Sequence, residues 1–419
     1  MNFFGTKIPA TALSFTGGSL FKTFTTMAVS IIAIKLIGPE KLGMWQAALL
    51  IKPYVAFLQL GLTQGLGRQI PFLLGQKNDY RVRQYASNAQ FVTTLYTLTC
   101  AIIAVALTFF LAEGINEKLI YITAGIFIAT MFVDNYLSST YRSSKSFANL
   151  AKVYFVASIF EILLLPLIYY YGFNGYMIIL LLHSIFSTSL LIYFRPIKVA
   201  SKFNKDIFFE NIKIGFPMVS LDFLRSIPDT YPKIFILYFL STTALGLTSP
   251  ANAALAAFAV LPASLAKYVY PNMTFNFGKT ANKLKLWQTS KKLSGLLTGI
   301  GLVGLFSIFI IPYAVENFFP KYVEAISITK IALFIAFFRM FTILFTVFNT
   351  LKAYKIQFIV SLIRNICYLI FPLLFYYFAS TSQQLEFIFL GVLVAEFLYV
   401  VALFYFIFRV THNKLSYDD

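Results

Sequence analysis

The chain carries 34 Lys and Arg against 16 Asp and Glu, and a minority of both kinds fall inside long apolar runs. A charge at the centre of a bilayer costs at least ~2.5–3.5 kcal/mol on insertion scales, so such a group faces a partner, a water-filled cavity or a helix end. Lys52, Arg225 and Arg339 lie near the middle of their runs, and Lys22 and Arg364 about two turns in from one side. Lys233, Lys267 and Lys330 lie nearer run ends, where a long side chain snorkels to water. Fixed cations in a wet cavity suit an anionic passenger. Arg suits it best, because its planar fork holds oxyanions bidentately and keeps its proton when buried, whereas a buried Lys loses its proton more readily. The binding candidates are therefore Arg339 and Arg364, then Lys22, Lys52 and Arg225. Lys22 shares a helix face with Gly18, Ser19, Thr25 and Thr26, and Arg339 with Thr342 and Thr346, as hydrophilic stripes lining a cavity would. The alternative is that each base pairs with an acid as a structural ion pair.

Three carboxylates, Asp134, Glu161 and Glu396, sit well inside apolar runs and are candidates to carry a coupling H+ or Na+. Thr130 and Ser138, one turn either side of Asp134, would complete an oxygen site; pairing of these acids with Lys22 or Lys52 is the blander explanation. Asp222, Arg225, Asp229 and Lys233 fall at i, i+3, i+7 and i+11, an ion stripe on one helix face. Pro232 interrupts that helix, so the Asp222, Asp229 and Lys233 stripe reads equally as a staple or as a gate.

Chemistry of other kinds is missing. His183 and His412 are the two histidines, too few for a multi-His metal site. No phosphate loop, metalloprotease motif or dinucleotide fingerprint is present. No catalytic residue and no cofactor is therefore expected, and the chain is not read as an enzyme. Cys100 and Cys367 lie far apart in apolar runs and read as small buried hydrophobes.

The elements that must hold these charges follow from composition. With 59% hydrophobic and 12% charged residues and a mean hydropathy of +0.76, the chain is an all-α integral membrane protein. Apolar runs of helical length, broken at charge, Gly and Pro clusters, predict about twelve transmembrane helices near 14–36, 43–63, 86–112, 119–140, 152–171, 175–194, 213–239, 247–270, 293–315, 325–349, 356–378 and 386–408. Most Lys and Arg then fall on the N-terminal segment, every second loop and the tail, which puts both termini in the cytoplasm. The net charge of +18 is a loop property of this kind, not a nucleic-acid footprint. The 48 Phe and 26 Tyr suit lipid faces and interfacial belts.

Two halves echo each other. "IAIKLIGPEKLG" (32–43) matches "FILYFLSTTALG" (235–246), aligning Leu42-Gly43 with Leu245-Gly246, and "YRSSK" with "LPLIYYYG" (141–145, 165–172) matches "LKAYK" with "FPLLFYYF" (351–355, 371–378). The organisation expected is two six-helix lobes related by an internal pseudo-two-fold repeat: 1–194, a basic cytoplasmic linker at 195–212, and 213–419 with a short cytoplasmic tail.

Segments spread through both halves, "IKLIGPEKLGMWQAALLI" (34–51), "LGLTQGLGRQIPFLLGQ" (60–76), "YRSSKSFANLAKVYF" (141–155), "IKIGFPMVS" (212–220), "FFPKYVEAISITKIALF" (318–334) and "TLKAYK" (350–355), resemble the polysaccharide flippases, O-antigen flippases among them, of the multidrug/oligosaccharidyl-lipid/polysaccharide exporter superfamily. In "DTYPKIFIL" (229–237), three residues separate Asp229 from Lys233 where such flippases set Asp beside a base. The resemblance implies a V-shaped two-lobe bundle with alternating access. Its cargo would be an isoprenoid-diphosphate-linked oligosaccharide, moved between leaflets of a bacterial inner membrane for lipopolysaccharide or other polysaccharide biosynthesis, beside polysaccharide-assembly partner proteins. A multidrug or organic-cation antiporter on the same scaffold is the alternative. A membrane-embedded polysaccharide polymerase is a third, disfavoured by short outward loops.

Overall fold

The computed structural model describes residues 2–3, 6–7 and 10–412, with side chains from Thr16 onward apart from those of Lys267, Tyr268 and Pro271. The tail at 413–419 and the side chain of Lys267 thus lie outside the described residues. Apart from a short antiparallel pairing of Asn2–Phe3 with Thr6–Lys7, the described elements are helical. In chain order they are α1 (Ala10–Leu36), α2 (Pro39–Ala48), α3 (Lys52–Phe57), α4 (Leu62–Gly75), α5 (Asp79–Leu111), α6 (Ile115–Ser143), α7 (Phe147–Leu163), α8 (Pro166–Tyr193) and α9 (Lys205–Ser226). There follow α10 (Tyr231–Phe239), α11 (Thr242–Leu247), α12 (Ser249–Thr280), α13 (Lys283–Leu305), α14 (Ile311–Phe318), α15 (Ile326–Arg339), α16 (Phe345–Leu351), α17 (Tyr354–Phe378) and α18 (Gln384–Thr411).

Helix starts follow local chemistry. Asn78, Ser241 and Asn282 cap α5, α11 and α13 by accepting the backbone N–H of Arg81, Ala244 and Lys285 at 3.1, 3.0 and 3.2 Å. Proline opens others, Pro166 at the start of α8 among them, since its missing N–H is an orphan of the first turn in any case.

Among the described residues, nine helical segments are long and apolar enough to cross a membrane, from Thr16–Leu36 to Gln384–Thr411. Three of the twelve predicted spans are not among them. The predicted 43–63 is α2, a 3-10 turn at Leu49–Ile51 and α3, broken where Pro53 withdraws an N–H and closed by Leu60 and Gly61 at φ 54° and 83°. The predicted 152–171 is shortened to α7, because Pro166 starts a new helix and Gly172, at φ 54°, kinks it. The predicted 213–239 is broken by a 3-10 turn at Ile227–Thr230. The interruption is centred on Pro228, while Pro232 lies in the first turn of α10 and helps begin it, which corrects the expectation that Pro232 breaks the helix.

The chain divides into two compact units: residues 1–37 with 44–223, and residues 38–43 with 224–419. In the first, a core of Leu62, Leu66, Ile70, Tyr85, Tyr136, Leu137, Tyr141 and Leu150 is drawn from α4, α5, α6 and α7. Gly18 lets α1 approach α7 so closely that a Cβ there would lie 2.9 Å from the carbonyl oxygen of Ala151. In the second, Leu297, Val347, Phe348, Val360, Leu403 and Ile407 centre a core shared by α13, α16, α17 and α18. Residues 38–43 belong to this unit through a backbone crossing with α11, in which a Cβ on Gly43 would strike the Thr242 carbonyl and one on Gly246 the Pro39 carbonyl. The two echoing segments thus meet reciprocally, each glycine facing its counterpart's helix start. Large apolar side chains such as Phe109, Phe110, Tyr169 and Tyr170 stand exposed on the outer helix faces, as lipid contact requires. The chain is a multi-pass membrane protein.

Candidate functional site

The strongest concentration of interior charge lies in the second unit. Arg339 ends α15, Arg364 sits mid-way along α17, Glu396 in α18, and Asp229 on the 3-10 turn between α9 and α10. Nη2 of Arg339 donates to Oδ1 of Asp229 at 2.7 Å and to the Tyr368 hydroxyl at 3.0 Å. Nη2 of Arg364 donates to the same Asp229 oxygen at 3.2 Å and to Oε2 of Glu396 at 3.2 Å, while its Nη1 donates to the Arg225 carbonyl at 2.8 Å. Tyr368 donates a short hydrogen bond to that Glu396 oxygen. The Arg364 guanidinium also lies 4.9 and 5.3 Å from the ring centroids of Tyr368 and Tyr399, so its faces meet π-clouds while its edge meets oxygens. Arg225 stacks over Phe345 at 5.5 Å.

These groups border a cavity of about 490 Å³ lined by Arg225, Asp229, Arg339 and Arg364, by Thr342, Thr346 and Asn349, and by an apolar wall that includes Leu255 and Phe258. Arg339, Thr342 and Thr346 do line one cavity. Arg339 and Arg364 are ion-paired, as the alternative reading of these bases has it, since Asp229 and Glu396 come within hydrogen-bonding distance from other helices. Glu396, with 0% of its side chain exposed, is held by Arg364 and lies 3.8 Å from Nε of Arg339, so in this arrangement it is the counter-ion of Arg364. The stripe of Asp222, Arg225, Asp229 and Lys233 is also corrected. The turn at Ile227–Thr230 divides it, and Asp229 pairs with arginines 110 and 135 residues away. Asp222 accepts from Gln64 within the first unit at 3.5 Å, and Lys233 stands in the first turn of α10.

The first unit arranges its charges otherwise. Asp134 of α6 accepts from the Thr188 hydroxyl of α8 at 2.6 Å. The hydroxyls proposed to flank it are engaged elsewhere: Thr130 donates to the Ile126 carbonyl at 2.9 Å, and Ser138 pairs with Tyr154. Glu161 of α7 is 1% exposed, with Oε2 lying 3.8 Å from Nδ1 of His183 in α8. Lys22 lies over the Tyr154 ring at 4.6 Å and Lys52 over Phe127 at 4.5 Å. Among the described residues no carboxylate stands within 4.0 Å of either amine, so the simple pairing of Lys22 or Lys52 with Asp134 or Glu161 is not formed.

Tyr368, Tyr399 and Thr188 were not singled out from the sequence. One faint signal exists: Tyr368 follows Arg364 by four residues and Tyr399 follows Glu396 by three, each pair on one helix face. Among the described residues no group of His, Cys, Asp and Glu has the makings of a metal site.

The fold of the chain is similar, over nearly its whole length, to that of solved membrane transporters. Solved structures it resembles include MATE family proteins. One is a multidrug resistance MATE family transporter of the MOP superfamily in an inward-facing conformation, with TM-score 0.76, 16% identity, and 94% of this chain and 95% of that one covered. Another is such a transporter in an outward-facing conformation, with TM-score 0.64, 15% identity and coverage of 96% and 95%. A third is MATE in complex with MaD5, with TM-score 0.65, 15% identity and coverage of 96% and 94%. No family model matches the chain, and no curated protein matches it. Two of these neighbours are described as multidrug resistance transporters, where the sequence resemblance points to the polysaccharide branch.

Proposed function

We propose that the chain is a secondary transporter that carries amphipathic organic molecules across a membrane by alternating access, in the manner of the multidrug exporters whose fold it shares. The observation that carries this reading is the whole-length likeness to such a transporter at TM-score 0.76. Charge buried in the interior of both units accords with it, because membrane proteins retain such groups for function. In this scheme Asp134 and Glu161 are the acids that exchange H+ or Na+, and both termini face the cytoplasm of a bacterial cell. With no ATP-binding motif in the sequence, the driving force is an ion gradient, the membrane potential or cargo mass action. The test is uptake of a fluorescent organic cation into proteoliposomes under imposed H+ and Na+ gradients. Gradient-dependent flux that falls at least about tenfold (1.4 kcal/mol) in Asp134→Asn is expected; flux no higher than in empty vesicles removes the reading.

A second reading, a flippase for isoprenoid-diphosphate-linked oligosaccharide, is favoured by one specific observation. Three guanidiniums, of Arg225, Arg339 and Arg364, line the 490 Å³ cavity together with the carboxylate of Asp229. Guanidiniums suit a phosphorylated passenger because their planar fork holds its oxygens bidentately. Leaflet exchange of a labelled isoprenoid-diphosphate oligosaccharide in the same vesicles separates the two readings.

A further inference from the structure

The charges of the second unit are segregated along its helices. Its carboxylates among the described residues are Glu40, Asp229, Glu316, Glu324, Glu386 and Glu396. Asp229 and Glu396 belong to the arginine cluster. The other four flank one end of the unit. Glu40 lies at the Gly43–Gly246 crossing before α12 begins, Glu316 and Glu324 follow the far end of α13, and Glu386 lies in the first turn of α18. At the opposite end α12 turns into α13, α16 turns into α17, and α18 finishes. There the charged side chains among the described residues are all basic, and no Asp or Glu occurs between positions 230 and 315.

This basic end is one continuous surface. Thr274 of α12 hydrogen-bonds Thr350 of α16 at 3.2 Å, and Trp287 of α13 meets Phe408 and His412 of α18 at ring-centroid distances of 5.5 and 5.9 Å. Lys279, Lys285, Lys291, Lys292, Lys352 and Lys355 are exposed on it, and among the described residues none has a carboxylate within 4.0 Å. Membrane topology asks for Lys and Arg on one side but is nearly indifferent to acids. A surface from which acids are also missing keeps its whole positive field.

One face of α13 joins this surface to the lipid. Lys285, Lys292, Leu296 and Val303 fall at i, i+7, i+11 and i+18, the same side of a helix, and all four are exposed, Val303 at 71%. From Lys292 to Val303 the helix rises roughly 16 Å, about the depth of one leaflet of a ~30 Å hydrocarbon layer. Where the basic turns give way to the apolar strip, rings accompany the lysines. The Lys291 ammonium lies 5.8 Å from the Trp287 ring centroid, and that of Lys279 lies 4.5 Å from Phe275, which is 57% exposed. Trp beside Lys marks the headgroup level of a bilayer. A soluble anion would use the lysines and leave the apolar strip unmatched.

We propose that this face of α13, with the α12–α13 corner, binds an anionic phospholipid: the phosphate sits between Lys285, Lys291 and Lys292, and an acyl chain runs along Leu296 and Val303. The headgroup supplies the negative charge that this end lacks and holds the corner at a fixed depth in its leaflet. The site is separate from the arginine-lined cavity, and its occupancy does not depend on which passenger is carried.

The test is fluorescence quenching in full-length protein reconstituted in phosphatidylcholine bilayers. These contain a minor fraction of phosphatidylglycerol or, in parallel, of phosphatidylcholine, each with a nitroxide on an acyl carbon near the headgroup. Trp45 is 5% exposed, so quenching reports Trp287, the other of the two tryptophans, and Trp287→Phe sets the background. A lysine near an anionic headgroup contributes about 1 kcal/mol, or about fivefold. Phosphatidylglycerol should therefore be preferred about tenfold, and Lys291→Gln with Lys292→Gln should bring the two lipids within about twofold of each other. Equal quenching in the wild type overturns the site, as does a preference that survives the double change. A preference lost equally in Lys77→Gln with Lys205→Gln, at exposed lysines of the first unit, would mean a diffuse surface field and also overturns it. Should the double variant fold poorly, salt decides in the wild type: raising NaCl from about 0.05 to about 0.5 M should lower the preference several-fold, and an unaltered preference overturns it. Two chains per particle in lipid-free detergent, with no lipid preference, would give the face to a second copy instead.

Discussion

The two interior charge clusters solve the same problem with different cations. In the second unit, Arg339 and Arg364 meet Asp229 and Glu396 directly at 2.7 to 3.2 Å, and the aromatic rings of Tyr368 and Tyr399 pack around the pairs. In the first, Lys22 and Lys52 rest on the rings of Tyr154 and Phe127, while Asp134 relies on a hydroxyl and Glu161 on an imidazole at 3.8 Å. A guanidinium offers five donors in a fixed fork and can hold two acids at once, whereas an ammonium is a compact point charge that an aromatic face stabilises only partly. The arginine cluster is therefore cross-linked across α15, α17, α18 and the turn before α10. The first unit keeps its acids with fewer fixed counter-charges, which leaves them freer to exchange a proton or a small cation.

The sharpest way to break this contrast is to remove one locked acid. Glu396→Gln leaves the buried Arg364 guanidinium with Asp229 as its one remaining carboxylate partner, and breaking a buried pair from one side costs about 3–5 kcal/mol. The thermal midpoint in detergent should fall steeply, and adding Arg364→Met should restore at least half of the loss, because the uncompensated charge then disappears. Glu161→Gln, at a position 1% exposed but facing no guanidinium, should be tolerated far better. Equal losses in the two single variants would mean that the clusters do not differ in kind.

Much of the architecture was legible and the pairing was not. Apolar runs located most of the long helices, because lipid exposure writes itself into contiguous hydropathy; α18, for example, has a mean window hydropathy of 2.6. The broken spans carried their own signals in Pro53, Pro166 and Pro228, though the stripe from Asp222 to Lys233 read as one helix face because its i, i+3, i+7 and i+11 spacing fits a continuous helix. Arg339, Arg364 and Asp229 all stood out as interior charges. Their assembly did not, since ion pairs across 110 and 135 residues depend on tertiary placement that periodicity cannot supply. Short-range spacing pointed to Thr130 and Ser138 for Asp134, whereas the Thr130 hydroxyl satisfies itself on the preceding turn and that of Ser138 pairs with Tyr154 of another helix. The lysine–aromatic contacts carried no signal in a chain with 48 Phe and 26 Tyr.

A medium-sized effect sharpens the first unit's side. The Thr188 hydroxyl supplies the one side-chain hydrogen bond that Asp134 makes among the described residues, and bonds to ionised acceptors contribute about 1.5–3 kcal/mol. Thr188→Val should lose that much in chemical denaturation, whereas Thr130→Val, whose hydroxyl bonds its own helix, should stay within about 0.5 kcal/mol of wild type. The reverse order would return Asp134 to the oxygen site first inferred from α6 alone.

The smallest effect bears on why the first unit uses lysine at all. Lys22 and Lys52 lie 4.6 and 4.5 Å from the ring centroids beneath them, contacts that contribute about 0.5–1 kcal/mol in exposed settings and about 2 when desolvated. Replacing Lys22 by Met keeps the apolar stem and removes the charge, so the loss of ring contact is offset by relief of a buried ammonium. Lys22→Met should therefore change stability by about 1 kcal/mol or less, in contrast with the locked arginines. Its transport phenotype should be larger than its stability phenotype, because an ammonium held by a ring and not by an acid contributes its charge to the field around Asp134 and Glu161. Measuring gradient-driven dye uptake and thermal midpoint on the same preparation separates the two: a fall in midpoint as large as that of Glu396→Gln would show that Lys22 is a structural tie after all, and would erase the distinction between an arginine cluster that locks and a lysine cluster that tunes.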